Sequence, residues 1–216
     1  MKKTLILAAV LTAIVATPAW AEKTAPAGKV FMFLDKFLKV PSAERARMKL
    51  AYAVRRDGRP LPNVTATLVE KNGARTPLPV NADGYFERLP TLPQLAGEAD
   101  VVFDVPSDWK LGTAIDIRPQ LNPAADYDAR ELVATVDESN RAIGKAAGAL
   151  SFMAPKMTGL IFPKAESGTV IFADGRSAPL PQVKDAPYFR PADHQGAVRV
   201  KLTKTPTKVG FYDGKK

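Results

Sequence analysis

"ATLVEKNGARTPLP", residues 66–79, returns at an offset of 102 residues as "GTVIFADGRSAPLP", residues 168–181, with five of 14 positions identical. Asn72-Gly73 in the first copy and Asp174-Gly175 in the second are turn signals, so each stretch reads as an antiparallel hairpin. Both dipeptides favour a type I′ turn, in which two successive residues take positive φ. Pro77 and Pro79, like Pro179 and Pro181, lack a backbone donor, which places the second strand of each hairpin at a sheet edge. Edge prolines also discourage pairing with other chains, a structural reason for the motif that needs no ligand. A single recurrence at this spacing signals a duplicated unit and not a solenoid.

The echo extends outward from the hairpins. Asp83 and Asp185 coincide at the same offset, and "YF" follows in both copies (Tyr85-Phe86 and Tyr188-Phe189) after a shift of one residue. Further on, "VPSDWKLG" (105–112) resembles "TPTKVG" (205–210) with two residues skipped. In "RMKLAYAVR", Met48, Leu50, Tyr52 and Val54 fall on one face, and Arg47, Lys49, Ala51, Ala53 and Arg55 on the other, the pattern of a half-buried strand. Similar alternation predicts strands at 64–71, 75–80, 99–105 and 111–118, then at 157–163, 168–173, 177–181, 197–202 and 208–213.

A long amphipathic helix is expected over 128–148, with Leu132, Val136, Ile143 and Ala147 as its apolar stripe. Asp128 and Glu131 have the spacing of an N-terminal capping box. Phe31, Leu34 and Leu38 have the spacing of a shorter helix over 30–39, halted by Pro41, with a strand as the alternative for this segment. The expected fold class is therefore α+β, mainly antiparallel β of β-sandwich type. It has two similar β-rich halves, 22–120 and 121–216, the long helix opening the second. "RPQLNPAADY" (118–127) marks the boundary, and a linker this short leaves open whether the halves share a core.

Residues 1–21, "MKKTLILAAVLTAIVATPAWA", combine Lys2 and Lys3, an apolar run and an A-x-A site, the layout of a secretory signal peptide cleaved after Ala21. The run is shorter than the roughly 20 residues a bilayer span requires, so no transmembrane anchor is expected. The protein is expected to be periplasmic or secreted. The chain contains no cysteine, which removes disulfides, thiol nucleophiles and thiolate metal ligands. Loss of Lys2 and Lys3 lowers the formal charge from +9 to +7. In an exported protein that balance points to anionic envelope material and away from nucleic acid.

His194 is the only histidine, so no metal site is expected, and G-x-S-x-G is absent. "SDWK" (107–110) matches S-x-x-K, but Pro106 and the flanking alternation place Ser107 in a turn between strands, where that chemistry lacks its helix. Asp126, Asp128 and Glu131 cluster at a helix start, where the macrodipole stabilises acidic groups. The residues point to no cofactor and no catalytic group. Arg47, Lys49, Arg55, Arg56 and Arg59 gather around one strand, and with Trp109 they form the candidate binding set for an anionic polymer. Lys201, Lys204, Lys208, Lys215 and Lys216 make a second basic group. The functional expectation is a non-catalytic binding or structural protein of the cell envelope, whose partner is anionic envelope material or another envelope protein. The alternatives are a metal-independent hydrolase working through carboxylates such as Asp126 or Asp128, and an accessory subunit of a protein complex.

Overall fold

In the computed structural model, which describes residues 22–214, the two echo stretches form the same hairpin in the same register. The expected signal peptide, Lys215 and Lys216 lie outside the described residues. Elements of the first half are β1 (Glu22–Pro26), α1 (Ala27–Val30), α2 (Leu34–Lys39), β2 (Met48–Arg56), β3 (Arg59–Pro60), β4 (Ala66–Val69), β5 (Arg75–Pro77), α3 (Leu92–Ala96), β6 (Asp100–Pro106) and β7 (Leu111–Pro119). The second half contains β8 (Asp126–Asp128), α4 (Ala129–Ala147), β9 (Gly159–Ile161), β10 (Gly168–Phe172), β11 (Ser177–Pro179), β12 (Gln182–Val183), β13 (Ala186–Phe189), β14 (Ala197–Leu202) and β15 (Gly210–Tyr212). The fold is α+β, its strand pairs antiparallel.

One hydrogen-bonding scheme serves both halves. The first contains a sheet of order β1-β6-β4-β5 and the second one of order β8-β14-β10-β11, so the strand sequence is repeated. Thr67 pairs with Pro77 as Thr169 pairs with Pro179, and the next two rungs also match. A second sheet in each half follows the same plan. It runs β12-β13-β9-β15 in one, while in the other Val80 bridges Phe86, Tyr85 bridges Ala53 of β2, and β2 pairs with β7. Repetition of both topology and turn sequence supports an internal duplication.

The turn differs from the type I′ expectation. Gly73 N donates to Glu70 O at 2.9 Å and Gly175 N to Phe172 O at 3.0 Å, each closing a turn one residue before the strand resumes. Only the glycines are left-handed, at φ 87° and 84°. This is a type I turn followed by a glycine bulge, and it needs one positive φ instead of two. Asn72 and Asp174 act earlier in the turn, where each Oδ1 accepts from the backbone two residues on, Ala74 N at 2.9 Å and Arg176 N at 3.0 Å.

"PLP" turns a corner. Leu78 N still bonds Ala66 O of the first sheet, whereas Pro79 O accepts from Glu87 N in the second; Leu180 with Gly168 and Pro181 with Tyr188 do the same. Here the chain leaves one sheet for the other, and each leucine between its prolines is buried in the core. β5 and β11 are edge strands, as the prolines required.

The short helix expected over 30–39 is interrupted, because Phe33 takes φ 68° and separates α1 from α2. α4 starts at Asp128, whose Oδ1 accepts from Arg130 N at 2.8 Å. Glu131 does not complete a capping box; it reaches Arg47 at 3.7 Å. Leu132, Val136 and Ile143 are buried as expected. α4 packs on α2 of the first half and on β9 and β14 of its own. Buried residues of both halves form one contiguous core. Phe31 meets Tyr52 and Phe86 in the first half, and Tyr127 meets Phe162 in the second, each ring pair bridging separate elements. Polar ties join the halves as well. Arg47 N donates to Glu138 Oε1 at 2.7 Å, and Lys145 pairs with Glu44.

Candidate functional site

A cleft of about 1120 Å³ opens between the halves, with β7 on one side and β9, β15 and the β14–β15 connection on the other. Its walls carry Lys49, Tyr85, Asp116 and Arg118 from the first half and Lys208 and Phe211 from the second, above apolar Ile117 and Leu121. Strand geometry explains the first group. Lys49 lies opposite Arg118 and Ala51 opposite Asp116 in the β2–β7 ladder, so these side chains project from one sheet face. Two cations directly opposite each other repel. Asp116 relieves this, since its Oδ2 accepts from Arg118 Nε at 2.7 Å and from Tyr85 Oη at 3.3 Å. The guanidinium of Arg118 then lies over the Tyr85 ring, 4.0 Å from its centroid. A carboxylate, a cation and an aromatic face thus form one fixed wall, stiffened by charge-assisted hydrogen bonding and cation–π attraction.

Among the described residues, Lys49 and Lys208 make no ion pair and both are exposed. They are the charges a visiting anion would meet first. Among the described residues no cluster of His, Cys, Asp and Glu is arranged to hold a metal.

The six residues of the candidate binding set occupy different places. Lys49 lines the cleft. Arg47 is drawn to α4, where its Nε stands 3.5 Å from Glu138 and its Nη1 3.7 Å from Glu131. Arg55 Nη1 donates to Gly58 O at 2.9 Å across the β2–β3 turn. Arg56 projects from the opposite face of β2 and stacks on Trp109, 3.6 Å from the ring centroid. Arg59 is exposed in β3. Arg56 and Trp109 therefore meet each other, while Lys49 alone of the six faces the cleft.

The remaining sequence candidates have local tasks. Asp126 pairs with Arg199 at 2.6 Å, and Asp128 caps α4. Ser107 sits in the turn between β6 and β7, where its carbonyl accepts from Lys23 Nζ. His194 stacks on Phe189 with ring centroids 5.7 Å apart, and burial holds its imidazole below the ordinary value while Asp193 opposes. Tyr85, Asp116, Arg118 and Phe211 were missed. Asp116 and Arg118 stand two apart on one strand, so their shared face was legible, but nothing in the local sequence placed Phe211 opposite them.

Set against known proteins, the chain matches no family model, no curated protein and no solved structure.

Proposed function

We propose that this chain is an exported, non-catalytic binding protein of the cell envelope that seats an anionic polymer in the cleft between its two halves. The observation that carries this reading is the cleft wall, in which Lys49 and Lys208 present unpaired charge beside the rigid Tyr85–Asp116–Arg118 group and the apolar Ile117, Leu121 and Phe211. Cations attract the anionic groups of the polymer, and the aromatic and apolar surfaces take its less polar faces. The leader-like residues 1–21 support an envelope location, and the net positive charge supports an anionic partner.

Co-sedimentation with purified peptidoglycan and with lipopolysaccharide, at low and at physiological salt, tests the reading. Lys49→Ala and Lys208→Ala should each weaken binding about threefold to fivefold, because an exposed charge contact is worth up to roughly 1 kcal/mol. Added salt should weaken binding further by screening. Unchanged binding in both variants, or none to either polymer, would remove the cleft as the site. A second reading, an accessory subunit, is favoured by β7 and β15. Both are outermost strands of their sheets and lie near each other at the cleft, so a partner's extended segment could add a strand to either. A protein retained by cross-linking, with no polymer binding, would select it.

A further inference from the structure

The stretch after α4 holds the two most exposed large apolar side chains among the described residues. Gly148, at φ 55°, ends the helix, and Gly148–Met153 continues as 3₁₀ turns. In it Leu150, Phe152 and Met153 are 51, 82 and 72 % exposed, although all three are large and apolar. A 3₁₀ turn brings residues i and i+3 onto one side, so Leu150 and Met153 stand together with Phe152 beside them. Single exposed apolar residues need no explanation, but three within four positions form a patch that water penalises. The core leaves them out.

Along the chain, the charges that flank this patch have one sign. From Arg141 to Met157 the chain carries Arg141, Lys145 and Lys156 and no Asp or Glu. Lys145 is engaged by Glu44, while among the described residues Arg141 and Lys156 are exposed and make no ion pair. An apolar tip between cations suits the boundary of a bilayer containing acidic lipids: side chains enter the acyl edge and cations remain among the phosphates. A second copy would bring the same cations against these, and the whole chain is basic, so charge opposes self-association through this tip.

We propose that Leu150, Phe152 and Met153 form a membrane-contacting tip that inserts into the interface of an anionic phospholipid surface, with Arg141 and Lys156 holding it to the headgroups. This role is separate from the cleft and does not depend on it.

The experiment is vesicle co-sedimentation of the chain from Glu22 to Lys216, using phosphatidylcholine alone and phosphatidylcholine mixed with phosphatidylglycerol. Binding is expected to the mixed vesicles, and Phe152→Ser with Met153→Ser should reduce partitioning by roughly tenfold or more, the scale on which one buried apolar side chain acts. Arg141→Ala with Lys156→Ala should reduce it several-fold on the anionic vesicles only. Phe152→Trp should give fluorescence that shifts to the blue on adding mixed vesicles, read against Trp109 in the parent. Because these side chains are exposed, the urea midpoint of each variant should equal that of the parent, which separates lost contact from lost fold. Equal partitioning of the parent and the Phe152→Ser, Met153→Ser variant overturns the proposal. So does a parent that ignores both vesicles, whether or not it forms a dimer that this variant dissolves.

Discussion

Gly159 shows how closely the second half is packed. A Cβ built there would run into the carbonyl oxygen of Phe189 and stand 3.1 Å from Arg190 Cγ, and a backbone oxygen cannot rotate aside. Gly159→Ala should therefore destabilise the fold by about 3 kcal/mol, the upper part of the ordinary range for overpacking, and urea denaturation would measure it. Buried Tyr52 is a milder case. Its Oη donates to Met32 O at 2.8 Å, so Tyr52→Phe leaves a carbonyl without that partner and should cost about 1 kcal/mol. Burial, with Asp35 adding, also raises the Tyr52 pKa. The unfolded chain then loses this proton first, so the contribution of Tyr52 is whole below about pH 10 and declines as pH rises above it. His194 has the opposite sign. Burial lowers its pKa, so its contribution is whole above about pH 6.5 and is lost as pH falls through the folded value. The drop in stability between pH 8 and pH 5.5 should be smaller in His194→Gln than in the parent, and an imidazole NMR titration should give a midpoint below that of a free histidine. An equal drop would mean that His194 titrates alike in both states.

At the scale of elements, the repeated hairpin gives a paired expectation. Gly73 and Gly175 take the same left-handed conformation, and a Cβ at either position would meet nothing within 4 Å. Alanine there incurs only a conformational cost, about 1 kcal/mol, and the cost should be the same in both halves. Urea midpoints of the two variants would check this; unequal shifts would mean that the turns respond differently despite their shared hydrogen bonds. The hairpins were legible because alternation, turn dipeptides and prolines all pointed to one arrangement. Other elements were not. β1 "EKTAP" and β8 "DYD" offer almost no apolar alternation, and each is held as a strand by its neighbour, β6 or β14. α3 was missed although Thr91 and Gln94 have capping-box spacing, and the Gln94 side chain does accept from Thr91 N. The helix expected over 30–39 had the right apolar spacing, but periodicity does not reveal a left-handed residue such as Phe33 within it.

The whole molecule is set by how the halves meet, and this is where the sequence said least. The cleft draws on residues 49, 60, 62, 81–83, 85, 116–119, 121, 123, 161, 163 and 207–211, which only the packed halves bring together. Arg47 belongs by parity to the polar face of β2, yet carboxylates on α4, more than 80 positions away, claim it. α4 is the element through which both halves should unfold as one, because it touches α2 and the 42–44 turn on one side and β8, β9 and β14 on the other. Leu132 is fully buried in α4, and Leu132→Ala should cost about 2–5 kcal/mol. Trp109 lies in the first half and is the only tryptophan after Glu22, so its fluorescence reports on that half alone. If the shared core makes the protein cooperative, the Trp109 transition in urea should coincide with the loss of far-ultraviolet ellipticity, and Leu132→Ala should move both midpoints together. A Trp109 midpoint that stays in place while ellipticity is lost earlier would show that the halves unfold separately. The cleft between them would then be a contact of two independent units and not a rigid groove.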